Sequence, residues 1–187
     1  IAMTSQFNQM QTLKRRFFAM RNGLLADQMR RAGSHFRIIF GLNIIQLNEI
    51  AADYGHDPAL AATLWANTTT RESMLLAPML WRPDDFSREE AVELCTAVPD
   101  PEVADMVCHK LLKTRPDAPA IAETLIASAE PLMRYTALRL TLPLVGAKIP
   151  PEKALAIAQS ELDAKNPLTL TLAAMIKSEA EFSLEDN

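Results

Sequence analysis

Asp105, Cys108 and His109 fall within five consecutive positions, bringing an acid, a thiol and an imidazole close together. On a helix, Asp105 and His109 stand at i, i+4, where side chains meet, so they could form an acid/base pair. Asp105 is therefore the candidate catalytic residue; the plain alternative is a helix-surface contact. Cys108 would need a lowered pKa to act as a nucleophile, and nothing around it in the sequence indicates one. A cysteine on a helix is more often part of the core. His35 and His56 have no partners at ligand spacing, and Cys95 and Cys108 lack the spacing of a metal site or a disulfide framework. No metal and no cofactor are expected. The chain also lacks a glycine-rich phosphate loop, a Ser-His-Asp order and a zinc motif.

A second set of residues suits binding better than catalysis. Arg71, Arg134 and Arg139 fall on expected second helices of helix pairs and could touch phosphates, or could pair with the many nearby acids. Lys14, Arg15, Arg30 and Arg31 belong to a basic stretch: residues 1–40 hold seven Lys and Arg against one acid, Asp27, leaving twelve and twenty-two in the remainder. A basic end on an acidic body can mark a polyanion-binding face, or simply two solvated faces of opposite sign. Trp65 and Trp81 could wall a flat base, but tryptophans at repeat junctions also serve as packing anchors.

The elements that must hold these residues repeat. Blocks starting at Asp57, Ser87, Asp117 and Pro150 are spaced by 30, 30 and 33 residues, each reading as helix, turn, helix. Asp57-Pro58 sets a capping carboxylate before a proline that needs no amide donor. Ser87 to Glu90 is a capping box. Asp100-Pro101, Glu130-Pro131 and Asn166-Pro167 are expected to start second helices, whereas Pro78 and Pro143 fall inside them and should kink them. Apolar residues recur at threes and fours, as in Val92, Leu94, Cys95 and Val98, then Val103, Met106, Val107 and Leu111. One such pair cannot bury its stripe alone, so neighbours must stack.

Ahead of the blocks, residues 5–21 carry Phe7, Met10, Leu13, Phe17 and Met20 on one face. A short helix over 24–32 should end at Gly33. Another over 44–54 turns Ile45, Leu47, Ile50 and Ala51 inward and stops at Gly55. Phe36–Phe40 reads as a buried connection, and the acidic tail from Glu179 should fray.

The chain has 187 residues, 49% hydrophobic, with 5 glycines and a net charge of −4. That suits one folded domain over 1–187: N-terminal helices to 56, four helix pairs over 57–182 and an acidic tail over 183–187. The expected fold is all-α, a right-handed α-α superhelix of HEAT-like pairs. No apolar run is long enough for a membrane span, and the start shows no signal peptide; a cytoplasmic location follows. Ile1 as first residue points to a processed or tag-trimmed start. Tetratricopeptide and ankyrin repeats have similar periods, but their signature residues are absent.

Two segments resemble a known family. Phe40 to Ala51 (FGLNIIQLNEIA) resembles the entry segment of the bacterial DNA alkylation repair glycosylases, which are HEAT-like solenoids. Leu64-Trp65 with Arg71 to Ala77 (RESMLLA) resembles their next helix pair. The resemblance implies a concave surface, lined by second helices, that cradles duplex DNA. It also implies removal of cationic alkylated purines, with a carboxylate and aromatic faces beside the scissile bond. Negative charge and aromatic faces both stabilise such cations.

The chain departs from the family where that chemistry lies. Against the family's Trp-Asp-x-x-Asp stretch stands Ala104-Asp105-Met106-Val107-Cys108: the tryptophan is Ala104, the catalytic carboxylate is Cys108, and Asp105 alone survives. Arg134-Tyr135 resembles the family's arginine pair with one arginine lost. Two functions follow from the sequence. One is a DNA-binding protein, either a damage reader or a glycosylase of altered chemistry. The other is a non-catalytic scaffold that binds a protein or peptide partner.

Overall fold

The computed structural model describes residues 2–186, with side chains from Asn8 onward. Ile1 and the expected place of Phe7 on the first apolar stripe lie outside the described side chains. Contacts group the chain into two compact units, the first ending at Asp85 and the second starting at Phe86. No strand occurs among the described residues, only isolated bridges such as Ile38 with Thr70.

The first unit holds α1 (Ala2–Ala19), α2 (Gly23–Arg31), α3 (Ile44–Tyr54), α4 (Pro58–Ala66) and α5 (Arg71–Leu80). Local chemistry sets their starts. Asn22 caps α2 at Leu25 N, 3.1 Å away. Asn43 and Gln46 form a reciprocal capping box on α3, and Asp57 caps α4 ahead of Pro58. α1 buries Leu13 and Phe17, and α3 buries Leu47 and Ile50. Ile45 is a correction to the expected inward face: it is 69% exposed. At about 100° per residue, position 45 stands on the opposite side of α3 from the seam that 47 and 50 share.

α5 forms the centre of this unit, with every residue from Arg71 to Pro78 buried. Glu72 is fully sealed. Its carboxylate accepts from the backbone N–H groups of Phe40, Gly41 and Leu42 at 3.1, 2.9 and 3.4 Å. Arg71 lies beside it, donating to Glu72 at 2.9 Å and to the Leu42 carbonyl at 2.9 Å. The 36–42 connection is thus bound to the head of α5, and Gly41 is required there. Its φ is +83°, and a Cβ would stand 2.2 Å from the Asn22 carbonyl oxygen.

The second unit holds α6 (Arg88–Thr96), α7 (Pro101–Val107), α8 (Ala118–Ile126), α9 (Pro131–Thr141), α10 (Pro151–Ala164) and α11 (Leu170–Glu185). α8 packs on α9, and α10 on α11. Ser87 with Glu90 closes the expected capping box, and Asp100 caps α7 at Val103 N, 2.9 Å away. Together with Asp57, the residues Ser87, Asp117 and Pro150 all take N-cap positions, so the helix-pair boundaries stand where the sequence puts them.

Three expectations need correction. α9 does not continue through Pro143; it ends at Thr141 and Leu142–Leu144 tighten into a 3₁₀ turn, since proline supplies no amide donor. α11 starts at Leu170, with Thr169 at the N-cap position but not bonded as a cap, because residues 167–169 form a turn in which Asn166 accepts from Leu168 N. The tail does not fray from Glu179: α11 runs to Glu185 and buries Ala180 on the way.

Candidate functional site

α7 does not stop cleanly. Cys108–Leu112 widen into a π turn closed by Lys113 N to the Cys108 carbonyl, 3.0 Å. The carbonyls of Lys113, Thr114 and Arg115 that follow are gathered by the Lys148 ammonium at 3.0–3.5 Å. A basic side chain on trailing carbonyls offsets the negative end of the helix. A π turn within a helix often accompanies a functional site. Here the widened turn and the end of α9 bound a cleft of about 280 Å³, lined by Asp105, Cys108, His109, Lys113, Arg139, Leu142 and Pro143.

Asp105 is half-buried on the wall of this cleft. Its Oδ1 accepts from the Tyr135 hydroxyl at 2.8 Å and forms an ion pair with Arg139, whose Nε lies 3.2 Å away. Burial raises its pKa above the usual carboxylate value, although the Tyr135 hydrogen bond and the Arg139 charge pull the other way. Burial and the Asp105 carboxylate push the Tyr135 phenol upward, so that it stays a donor. His109 does not meet Asp105 as the i, i+4 spacing suggested. It is exposed and shares a 2.8 Å contact with Lys113 Nζ through Nδ1. Its pKa is lowered by burial and then by Lys113, Lys110 and Arg139, so three cations act on this one imidazole.

Cys108 faces inward, 3% exposed, and its thiol donates to the Thr136 carbonyl at 3.5 Å. Burial raises its pKa well above that of a free thiol, which keeps it protonated. Cys95 is likewise buried and pushed up to about 12. Neither sulfur is poised as a nucleophile.

The expected DNA-binding residues separate by environment. Arg71 is 2% exposed and committed to Glu72 and Leu42, so it anchors the fold and is corrected as a phosphate contact. Arg134 is mostly spent within its unit: it donates to the Ile126 and Ser128 carbonyls at 2.7 and 3.1 Å and pairs with the buried Glu161. Arg139 faces the cleft. In the first unit Arg30 is exposed but donates to the Phe36 carbonyl at 3.2 Å. Lys14, Arg15 and Arg31 are exposed, with no ion pair among the described residues. Trp65 and Trp81 are brought together, ring centroids 5.9 Å apart and tilted by 60°, both half-buried. His35 is exposed, and His56 bonds to Asp85 at 2.8 Å. No group of three potential metal ligands occurs among the described residues.

Tyr135 and Lys113 were missed as site residues. The repeat itself carried a signal, because Asp105 and Tyr135 stand 30 residues apart, one repeat period, and so occupy matching places on α7 and α9.

Comparison with known proteins agrees with this architecture. No curated protein matches the chain. A solved structure described as "a new family of proteins related to the HEAT-like repeat DNA glycosylases with affinity for branched DNA structures" is similar, with TM-score 0.78 and 17% identity. The match covers 94% of this chain and 77% of that one. It gives the present chain an all-α, HEAT-like repeat fold. The family model for the DNA alkylation repair enzyme matches residues 13–170, most of the chain. Helix pairs, capped boundaries and this match converge, and the chain belongs to the DNA alkylation repair enzyme family.

Proposed function

We propose that this protein binds DNA through the cleft between α7 and α9 and reads damage or distorted structure without excising a base. The carrying observation is the cleft's charge. Residues 86–187 hold ten basic and sixteen acidic groups, yet Arg139, Lys113 and the His109 imidazole line this cleft beside a single carboxylate, Asp105. A local cluster of cations on an acidic unit is what a phosphodiester backbone requires. The similar solved structure belongs to proteins described as having affinity for branched DNA, which favours the same partner class.

Excision is disfavoured by the same wall. Asp105 is engaged by Tyr135 and Arg139, which offset the negative charge that a cationic sugar or base would need. At the position the family resemblance gives to the catalytic carboxylate stands Cys108, a protonated thiol turned into the core. The reading treats residues 1–187 as one working unit and locates it where the DNA is, which in a bacterium is the cytoplasm. No helix among the described residues is long and apolar enough to cross a membrane.

Incubation with duplex DNA carrying methylated purines tests this reading when binding and released base are both measured. Binding without release is expected. Release that disappears in Asp105→Asn would show that the carboxylate still does chemistry. Absence of DNA binding would favour the scaffold reading, with a protein or peptide as ligand.

A further inference from the structure

Phe17 and Phe18 are neighbours on α1 with opposite fates. Phe17 is fully buried and packs against Phe40, ring centroids 5.7 Å apart. With that ring fixed in the core, the next residue must turn outward, and Phe18 is 57% exposed. Arg21 covers one face of the exposed ring, its guanidinium carbon 3.8 Å from the ring centroid. It is held there by a 2.8 Å hydrogen bond from its Nη1 to the Phe18 carbonyl. Lys14 and Arg15 stand four and three residues before Phe18 on the same helical face, and both are exposed. α1 contains no acid. The result is a fixed aromatic ring backed by a guanidinium and flanked by Lys14 and Arg15, while the acid that reaches this helix, Asp53, is taken by Arg16 at 2.7 Å.

That combination matches single-stranded nucleic acid better than a paired duplex. An unpaired base offers a flat face to an open ring, and its phosphates answer the flanking cations. A stacked duplex buries its base faces and leaves the ring nothing to cover. We infer that Phe18, with Arg21, Lys14 and Arg15, is a stacking site for unpaired nucleotides. The inference rests on the DNA-binding reading above only in its choice of polymer; it concerns a separate surface, in the first unit.

Fluorescence anisotropy with the full chain tests it, using a single-stranded oligothymidylate, a blunt duplex and phosphatidylserine vesicles as ligands. Phe18→Ala should weaken oligothymidylate binding by about ten-fold, leaving blunt-duplex binding within about two-fold. Phe18→Trp should retain or tighten it. Circular dichroism melts of both variants should match the wild type, since the ring is outside the core. A wild type that binds duplex but not the single strand, or Phe18→Ala with unchanged or equal losses on both, overturns the stacking site and leaves the cleft reading standing. Single-strand binding that depends on Phe18 without any duplex binding supports the stacking site and removes the cleft reading. Phe18-dependent vesicle binding with no single-strand binding assigns the face to a membrane surface and overturns the inference.

Discussion

The head of α5 and the cleft beside α7 each hold an arginine–carboxylate pair, but water reaches only one of them. Arg71 and Glu72 are 2% and 0% exposed, and the carboxylate also takes three backbone N–H groups of the 40–42 connection. Arg139 and Asp105 are 39% and 40% exposed, with one hydroxyl donor added. A sealed pair cannot trade its partners for water, so it fixes the chain path. An open pair can exchange partners with water or with a ligand at little cost. Charge in this protein therefore has two separate duties, and burial decides which one a given arginine serves.

The contrast can be broken most severely in the sealed region. Glu72→Ala leaves the Arg71 guanidinium buried without its carboxylate and frees the 40–42 amides. Urea unfolding should show a loss of about 3–5 kcal/mol. A loss below about 1 kcal/mol would mean that water enters this site, and the two pairs would then not differ in kind.

An intermediate case sharpens the comparison. Asp117 accepts from Arg115 at 2.8 and 2.9 Å, and Arg115 also holds the Phe86 carbonyl at 2.7 Å. The Arg115 hydrogen bond is the leading cause that holds the Asp117 carboxyl below its usual range. The folded state thus favours the charged form. The stability from this pair is complete above the unfolded value of about 3.9 and is lost as pH falls through the lower folded value. Asp117→Asn should therefore be less stable than wild type near neutrality, and the gap should close on acidification. Urea midpoints across that range check it; a gap that widens in acid contradicts the sign.

The smallest effect belongs to the open pair. Asp105→Asn should change stability by less than about 1 kcal/mol, since both partners remain hydrated. Thermal melts of this variant beside Glu72→Ala give the comparison directly.

How far the sequence revealed these duties depends on the range of the forces involved. The helix starts at Asp117 and Pro150, which carry no capping bond, were legible because the repeat spacing and the prolines beside them mark the place. Those at Asp57 and Ser87 were legible because a capping side chain and its helix lie within four residues. The stripes of α6 and α7 were legible for the same reason. Arg71 was misread because its burial comes from a connection about thirty residues earlier. The adjacent Glu72, within an otherwise mostly apolar helix, was the only local sign. Ile45 was misread because its apolar type was followed and not its position, which helical periodicity sets opposite Leu47 and Ile50. The π turn at 108–112 has no local sequence signature, and it shapes the cleft that gathers Asp105, His109 and Lys113.

The account is tested most directly by the salt dependence of duplex binding in wild type and in Arg139→Ala. If Arg139 exchanges Asp105 for a phosphate, removing it should lower the slope of log affinity against log salt by about one, with little change in melting temperature. Parallel lines of equal slope would contradict the account, because the open arginine of the cleft would then carry no phosphate.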